Sequence, residues 1–372
     1  MTQPSRSVLC FLLFLCLLAP SFGAAPASQA SQDAWPLYQR AIARVREGYQ
    51  KQIMSPAASS LEYAEYPPYP AEWHKLETAD FEFNAPARAL AHEARSRDMA
   101  NWPGLHPAGN QIDLSYLNGC RALANDVADA ALQEHLRGDD AAAIESLGDL
   151  LHLADLLDKP KPSYLVQSLV GLGIRLIALN RLEIITADVA LTSDPADTHK
   201  LQVATAKELI RQLFDAKDPA PRYADMLRRE SAGGKLNTEQ RDRFVLQIHR
   251  GQMECNLAAM SLGCHRYRFD EHQWPANIQD LTPYLPSAPV DAWGQMGYAL
   301  VKARRPGAPD RPLVYSRDEA TDGLFYPTSE PQYSWYPGFG SGHARKQGGQ
   351  FRDVSLWEPA HPNPAPTTQP LR

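Results

Sequence analysis

Three histidines stand close together in the chain, His249, His265 and His272, with Glu254 and Glu271 among them. Imidazoles and carboxylates are the groups of a zinc site or an acid–base pair, so their spacing decides what they can do. His265 and His272 can face one site only if a helix ends between them. No H-E-x-x-H and no C-x-x-C occurs, so the metal pattern is incomplete. No G-x-S-x-G marks a nucleophile. The GSGH at 340–343 is too short for a phosphate loop and has no helix after it. The pair Asp139–Asp140 sits where a helix cap already accounts for it. Three cysteines lie beyond residue 100: Cys120, Cys255 and Cys264. Cys255 and Cys264 are nine apart on one predicted helix, which sets them on opposite sides and about 13 Å apart along its axis. A disulfide needs Cα atoms within about 7 Å, so that bond would require the helix to break at Gly263. The reading is three buried free thiols packed as small apolar groups. No catalytic constellation emerges.

The elements that would position such groups begin after residue 23. Arg6 precedes the apolar run Val8 to Ala19, VLCFLLFLCLLA, and Pro20 and SFGAAPA follow. This is the order of a signal peptide, expected over 1–23, with cleavage after Gly23 or, in competition, after Ala27. The run is about a dozen residues against the roughly 20 that span a bilayer. An uncleaved anchor is the alternative. Cys10 and Cys16 lie inside the run and are not placed for lipidation. Tyr164 to Ile185 is apolar but interrupted by Arg175, Asn180, Arg181 and Glu183. The expectation is an exported chain, periplasmic or secreted. A net charge of −6 gives no basic field, so no nucleic-acid partner is expected.

Residues 33–240 read as one all-α domain. Leu37, Ala41, Val45 and Tyr49 recur at a spacing of four over Trp35 to Ile53. Met54 to Phe83 reads as a loop, because Pro67, Pro68 and Pro70 forbid a continuous helix. Its YAEYPPYPAEW segment is rich in Tyr and Trp, which suits core packing or a groove. A helix is expected over about Pro86 to Met99. Leu114 to Asp158 reads as a helical hairpin that breaks at RGDD, with Gly138 in a left-handed cap and Asp139 or Asp140 capping the second helix. Leu123, Val127, Ala131 and Leu132 line one arm; Ile144, Leu147, Leu150, Leu151 and Ala154 line the other. SYLVQSLVGLGIRLIALNRLEIITAD is apolar on most sides, as a central helix is. Asp194–Pro195 reads as the start of another. Thr238 is expected to cap a long helix to about Arg268, with Phe244, Ile248, Leu257, Met260 and Tyr267 inward. Residues 241–325 join that helix to a small α+β module: a short helix over Asn277 to Leu285, then strands at Tyr298–Lys302 and Pro312–Ser316 around the turn RRPGAPDR. Residues 326–357 read as an aromatic and glycine-rich irregular segment, and 358–372 as a proline-rich tail.

The 60 residues from Cys264 to Gly323 resemble the soluble domain of the major pseudopilin of type II secretion. That family ends a helix in Y-K-x-D-x-x-x-Y-P, then runs L-x-x-L, L-P-x-D-P-W-G-x-P-Y and S-x-G-x-D-G. This chain has Tyr267, Arg268, Asp270, Trp274 and Pro275, then Leu281 and Leu285. Pro286, Val290, Asp291, Ala292, Trp293, Gly294 and Tyr298 follow, and then Tyr315, Ser316, Asp322 and Gly323. The physical reading agrees: Asp270 closes a turn after the helix, Trp274–Pro275 is an extended pair pinned on the core, and Asp291 opens an Asx-turn. The resemblance implies calcium in the loop after the last strand, where Asp318, Glu319 and Asp322 offer oxygens. Calcium takes six to eight oxygens and the family's glycine spacing is lost, so the site is weak or absent. The family's membrane-spanning first helix is replaced by soluble helices. More loosely, the α-hairpin resembles a tetratricopeptide unit, but one unit is not an array.

The fold expected is therefore mainly α, a helical-hairpin domain followed by a pseudopilin-like α+β module. The first functional reading is a non-enzymatic scaffold whose module binds a protein of the cell envelope, without a cofactor. The alternative is an exported enzyme with its site in the groove between the helices and the Tyr63–Trp73 aromatic loop. A third is a purely structural envelope protein. A pocket holding paired carboxylates or a histidine cluster would move the enzyme ahead.

Overall fold

The computed structural model describes residues 33–52, 71–97, 115–158, 165–186, 188–215, 223, 226–228, 237–287, 296–301, 311–316, 333–335, 342–347 and 350–356. Five helices come first: α1 Trp35–Gln52, α2 Ala71–Arg95, α3 Ser115–Leu136, α4 Asp140–Asp158 and α5 Leu165–Ile185. The two-residue strands β1 Leu191–Thr192 and β2 Leu201–Gln202 pair in parallel. Helices α6 Val203–Asp215 and α7 Thr238–Glu271 follow. A 3-10 helix, Ile278–Tyr284, leads to β3 Met296–Val301, β4 Arg311–Ser316, β5 Tyr333–Trp335, β6 Gly342–Gln347 and β7 Gln350–Leu356. The described part is mainly α.

The α3–α4 hairpin forms as its turn residues require. Gly138 sits at φ 83°, the left-handed region that glycine enters without a Cβ penalty. Asp139 then caps α4, its Oδ1 accepting from Ala142 N–H at 3.0 Å. Asp140 is thereby released for another role. It meets His135 Nδ1 at 2.6 Å, and its Oδ2 accepts from Ala190 N–H at 2.7 Å. His135 Nε2 meets Asp188 at 2.9 Å. A fully buried imidazole with a carboxylate on each nitrogen donates from both, which is the protonated form. Burial alone would lower its pKa, but the two carboxylates outweigh burial and push it up to about 9. This ion cluster ties the hairpin turn to the strand segment after α5.

Leu123, Leu147, Leu150, Leu153, Leu157, Ile174 and Leu179 belong to the core that α3, α4 and α5 share. Close approach there depends on Gly171: a Cβ on it would lie 2.9 Å from the Ala154 carbonyl oxygen. Helix α7 is buried on all sides from residue 253 to 265, not on one face only. It packs on α5 and α6 at one end and on the 3-10 helix, β4 and β5 at the other. The helix runs unbroken through Gly263, where Leu285 comes within 3.1 Å of where a Cβ would stand. Cys120, Cys255 and Cys264 are buried free thiols.

Several local expectations are corrected. Residues 71–85 are helical, not loop, and α2 runs straight through Pro86. The proline costs one backbone bond, and nearby the Arg88 guanidinium donates to the Phe81 carbonyl. Asp194–Pro195 does not start a helix. Asp194 Oδ1 accepts from Ala196 N–H at 2.9 Å, a local side-chain turn that competes with helix, and α6 begins at Val203. Asn237, not Thr238, caps α7, in a capping box with Gln240. The helix runs through Asp270 to Glu271, and His272 in the left-handed region ends it, so Asp270 closes no turn. Asp280 does that work later, its Oδ2 accepting from Ala276 and Asn277 N–H.

The segment 326–357 is not wholly irregular. β5 adds to an antiparallel sheet in the order β3-β4-β5, and β6 pairs with β7 with Gln347 opposite Gln350. Gly348 and Gly349 lie between them in sequence, a pair that two-residue hairpins favour.

Candidate functional site

Polar residues recur at helical spacing on two facing helices. On α2 they are Glu77, Asp80, Asn84 and Arg88; on α3 they are Asp126, Asp129 and Gln133. Steps of three and four put each set on one face. The two stripes, with Phe81 and Ala130, line a cavity of about 40 Å³. Asn84 Nδ2 donates to Asp126 Oδ1 at 2.6 Å, and Arg88 Nη1 stands 3.8 Å from Asp126 Oδ2. Arg181 of α5 donates to Asp129 at 2.6 Å. The guanidiniums of Arg88 and Arg137 lie over the Phe81 ring, at 4.2 and 4.3 Å from its centre.

Burial and crowding raise the carboxyls. Glu77 is pushed up to about 8, first by burial and then by the charges of Asp129 and Asp80, with Arg181 pulling the other way. Burial lifts Asp126 to about 7 against the pull of Arg88 and Asn84. Asp80 rises to about 6 by burial and the charge of Asp129. Glu134, next to the cleft, is raised by burial too. At neutral pH Glu77 is a proton donor and Asp126 is divided between its two forms.

The hydrogen bonding of the cleft is incomplete. Gln133 is only 3% exposed, yet among the described residues its Nε2 has no hydrogen-bond partner. Asn84 Oδ1 is buried in the same condition; Asp126 Oδ2 and Arg88 Nη1 also lack a hydrogen bond there but face each other as an ion pair. Such atoms cost about 1–3 kcal/mol each when left unpaired, and folded chains rarely keep several together without a use for them.

The residues singled out by the resemblance divide in two. Tyr267, Trp274, Pro275 and Tyr298 come together at the end of α7. Tyr298 Oη donates to the Pro275 carbonyl at 2.5 Å. Trp274 meets the His265 ring edge-on at 5.3 Å and lies under Arg268 at 4.6 Å. Tyr267 stacks edge-on against Tyr284, which also bonds to the exposed Asp270. Asp291, Trp293, Gly294, Asp318, Glu319 and Asp322 lie outside the described residues, as does the aromatic loop before Ala71. Trp73 belongs to the first turn of α2.

The histidines do not converge. His265 is buried, donates from Nε2 to the Thr186 carbonyl and is pushed down to about 4 by burial. The helix ends at Glu271, between the two, but His272 is its exposed cap while His265 is buried, so they do not face one site. Among the described residues no three His, Cys, Asp or Glu side chains are placed to hold a metal ion. None of the described helices is long and apolar enough to cross a membrane.

Sequence reading missed the cleft for definite reasons. Glu77 and Asp80 fall in the stretch that its prolines mark as loop, where periodicity carries no meaning. Asp126 and Asp129 look like the wet face of a helix. The signal was present as two polar stripes in register, but only the pairing of α2 with α3 gives it sense. No protein-family model matches the chain, and no curated protein or solved structure matches it either.

Proposed function

We propose that this chain is an exported helical binding protein that holds a small polar ligand in the cleft between α2 and α3. The buried Gln133 Nε2, without a hydrogen-bond partner among the described residues and on the same cleft as Glu77, whose carboxyl is raised by burial, carries this reading. A group kept dry and unsatisfied weakens the fold, and binding sites are where such a cost is retained. Export rests on the apolar run Val8–Ala19 and the small residues after it. The pseudopilin-like pattern supports a protein contact in the cell envelope through the C-terminal layer, where Tyr298 is locked to Pro275 beside Trp274.

The test needs no knowledge of the ligand. Gln133→Leu removes the amide and keeps the volume. The variant is expected to be more stable than the parent, by about 1–3 kcal/mol in urea unfolding, because a buried N–H donor without a partner among the described residues is lost. A variant less stable than the parent would show that Gln133 serves the fold, and the cleft reading would fall.

The second reading is an acid–base enzyme at the same cleft. Glu77, raised to about 8, favours it, since a carboxyl protonated at neutral pH is a general acid. A turnover abolished by Glu77→Gln with binding intact would put catalysis first; binding without turnover of any bound compound would remove it.

A further inference from the structure

Helix α2 is fastened unequally along its length. Beyond Pro86 it buries Ala87, Ala91 and Ala94, and it holds α4 through Arg95 on Glu145 at 2.6 Å and His92 on Asp149 at 3.2 Å. Before Pro86 only Asn84 is buried among the described side chains; from 75 to 83 none is. Pro86 has no N–H to give the Glu82 carbonyl, so the backbone ladder lacks a rung where the two halves meet.

The first half meets its neighbours through charge. Glu77 and Asp80 line the cleft opposite Asp126 and Asp129 of α3. Arg181 of α5 bonds to Asp129, and Arg88 pairs with Asp126. Glu134 and Arg137 of α3 act on Arg88 with opposite signs. On α1, Arg44 and Lys51 stand over Phe83 and are both taken up by Glu47. Lys75 and Glu82 are exposed. The cations of the seam are thus engaged with Asp126 and Asp129. With its proton on, Glu77 adds nothing to this balance. Without it, Glu77 is one more anion beside Asp129 and Asp80, with only the distant pull of Arg181 to offset it.

We propose that the first half of α2 is a proton-held clasp: it lies on α3 while Glu77 carries its proton and swings away about Pro86 as that carboxyl ionises. The clasp stands whether or not the cleft takes a ligand. Closed, Glu77 is pushed up to about 8 by burial and by its neighbours' charges; open, it returns toward its ordinary 4.5. A raised acid binds its proton more tightly in the closed form. Closure is therefore firmest below about pH 4.5 and weakens as pH rises to about 8. Asp80, raised to about 6, acts in the same direction. Asp126 keeps Asn84 and Arg88, which lie at the hinge, so Glu77 carries most of the change.

The experiment is hydrogen–deuterium exchange of the full chain, read by mass spectrometry from pH 5 to pH 9 and corrected for the intrinsic effect of pH on exchange. Residues 75–85 should be at least about tenfold less protected than 87–95, because they open alone. Their protection should fall by at least about a hundredfold between pH 5 and pH 8 and level off above, one proton being worth about tenfold per pH unit. Glu77→Gln keeps the shape without the charge and should shrink that fall by at least about tenfold. Asp80→Asn removes a charge that holds the proton on Glu77 and should end the fall at lower pH. Pro86→Ala restores the missing N–H and should bring the protection of the two halves together. Equal protection of the two halves at every pH in the parent would overturn the clasp. A pH dependence left intact by Glu77→Gln would overturn the part given to Glu77; should that variant not fold, an unmoved profile in Asp80→Asn would do the same. A gap between the halves that survives Pro86→Ala would overturn the hinge.

Discussion

His135 gives the fold a dependence on pH that can be worked from its surroundings. The ring is wholly buried, with Asp140 at 2.6 Å on one nitrogen and Asp188 at 2.9 Å on the other. Its pKa stands at about 9 in the folded chain against an ordinary 6.5. A raised basic group binds its proton more tightly when folded. Its contribution is therefore complete below pH 6.5 and is lost as pH rises through about 9. At about 1.4 kcal/mol for each pKa unit, the loss comes to about 3 kcal/mol. The perturbation is His135→Gln, which removes the titrating cation and keeps a polar side chain. At neutral pH the variant leaves two buried carboxylates without their cation and should be less stable by about 3–5 kcal/mol. Between about pH 7 and pH 10 that gap should narrow by about 3 kcal/mol, because the parent loses what the variant never had. Urea unfolding of both proteins across this range measures it. Glu77 and Asp126 titrate in the same range but are common to both proteins, and they cancel in the difference. A gap that stays constant from neutral to alkaline pH would refute the assignment of the charge to His135.

Three further outcomes are expected. Gly171→Ala forces a Cβ against the Ala154 carbonyl and within 3.2 Å of Leu157, and should destabilise the chain by about 1–3 kcal/mol in urea unfolding. Tyr298→Phe removes the bond to the Pro275 carbonyl and should cost about 1 kcal/mol by the same measurement; no change would mean that the strand is held by packing alone. Millimolar calcium should leave the melting temperature unchanged, since three carboxylates at 318, 319 and 322 cannot surround the ion; a rise abolished by Asp322→Ala would show that the loop binds it.

What could be read from sequence depended on whether the deciding force was local. The α3–α4 hairpin was legible because Gly138 and Asp139 are turn and cap chemistry, and because its apolar residues keep one period over both arms. The 3-10 helix and the pairing of β3 with β4 were legible for the same kind of reason. Helix α2 was not, because three prolines before it and one inside it argue for loop, and only packing on α1 and α3 outweighs them. With α2 misplaced, Glu77, Asp80, Asn84 and Arg88 could not be seen as one stripe. The burial of Gln133 and His135 is tertiary throughout; nothing near them in the chain distinguishes them from wet residues. The Gly348–Gly349 pair was a local hairpin signal that composition alone obscured.

Helix α7 also sets an order of events. It supplies Met253, Leu257, Met260 and Cys264 to a core shared with helices made long before it. A chain that emerges N-terminus first, from a ribosome or through a membrane pore, delivers α1 to α6 without the element that covers α5 and α6. Their apolar faces stay open to water and to one another's neighbours until residue 265 has arrived. A chain stopped before α7 is thus an aggregation and protease target and not a smaller working domain. The growing chain depends for that interval on something else to keep it apart.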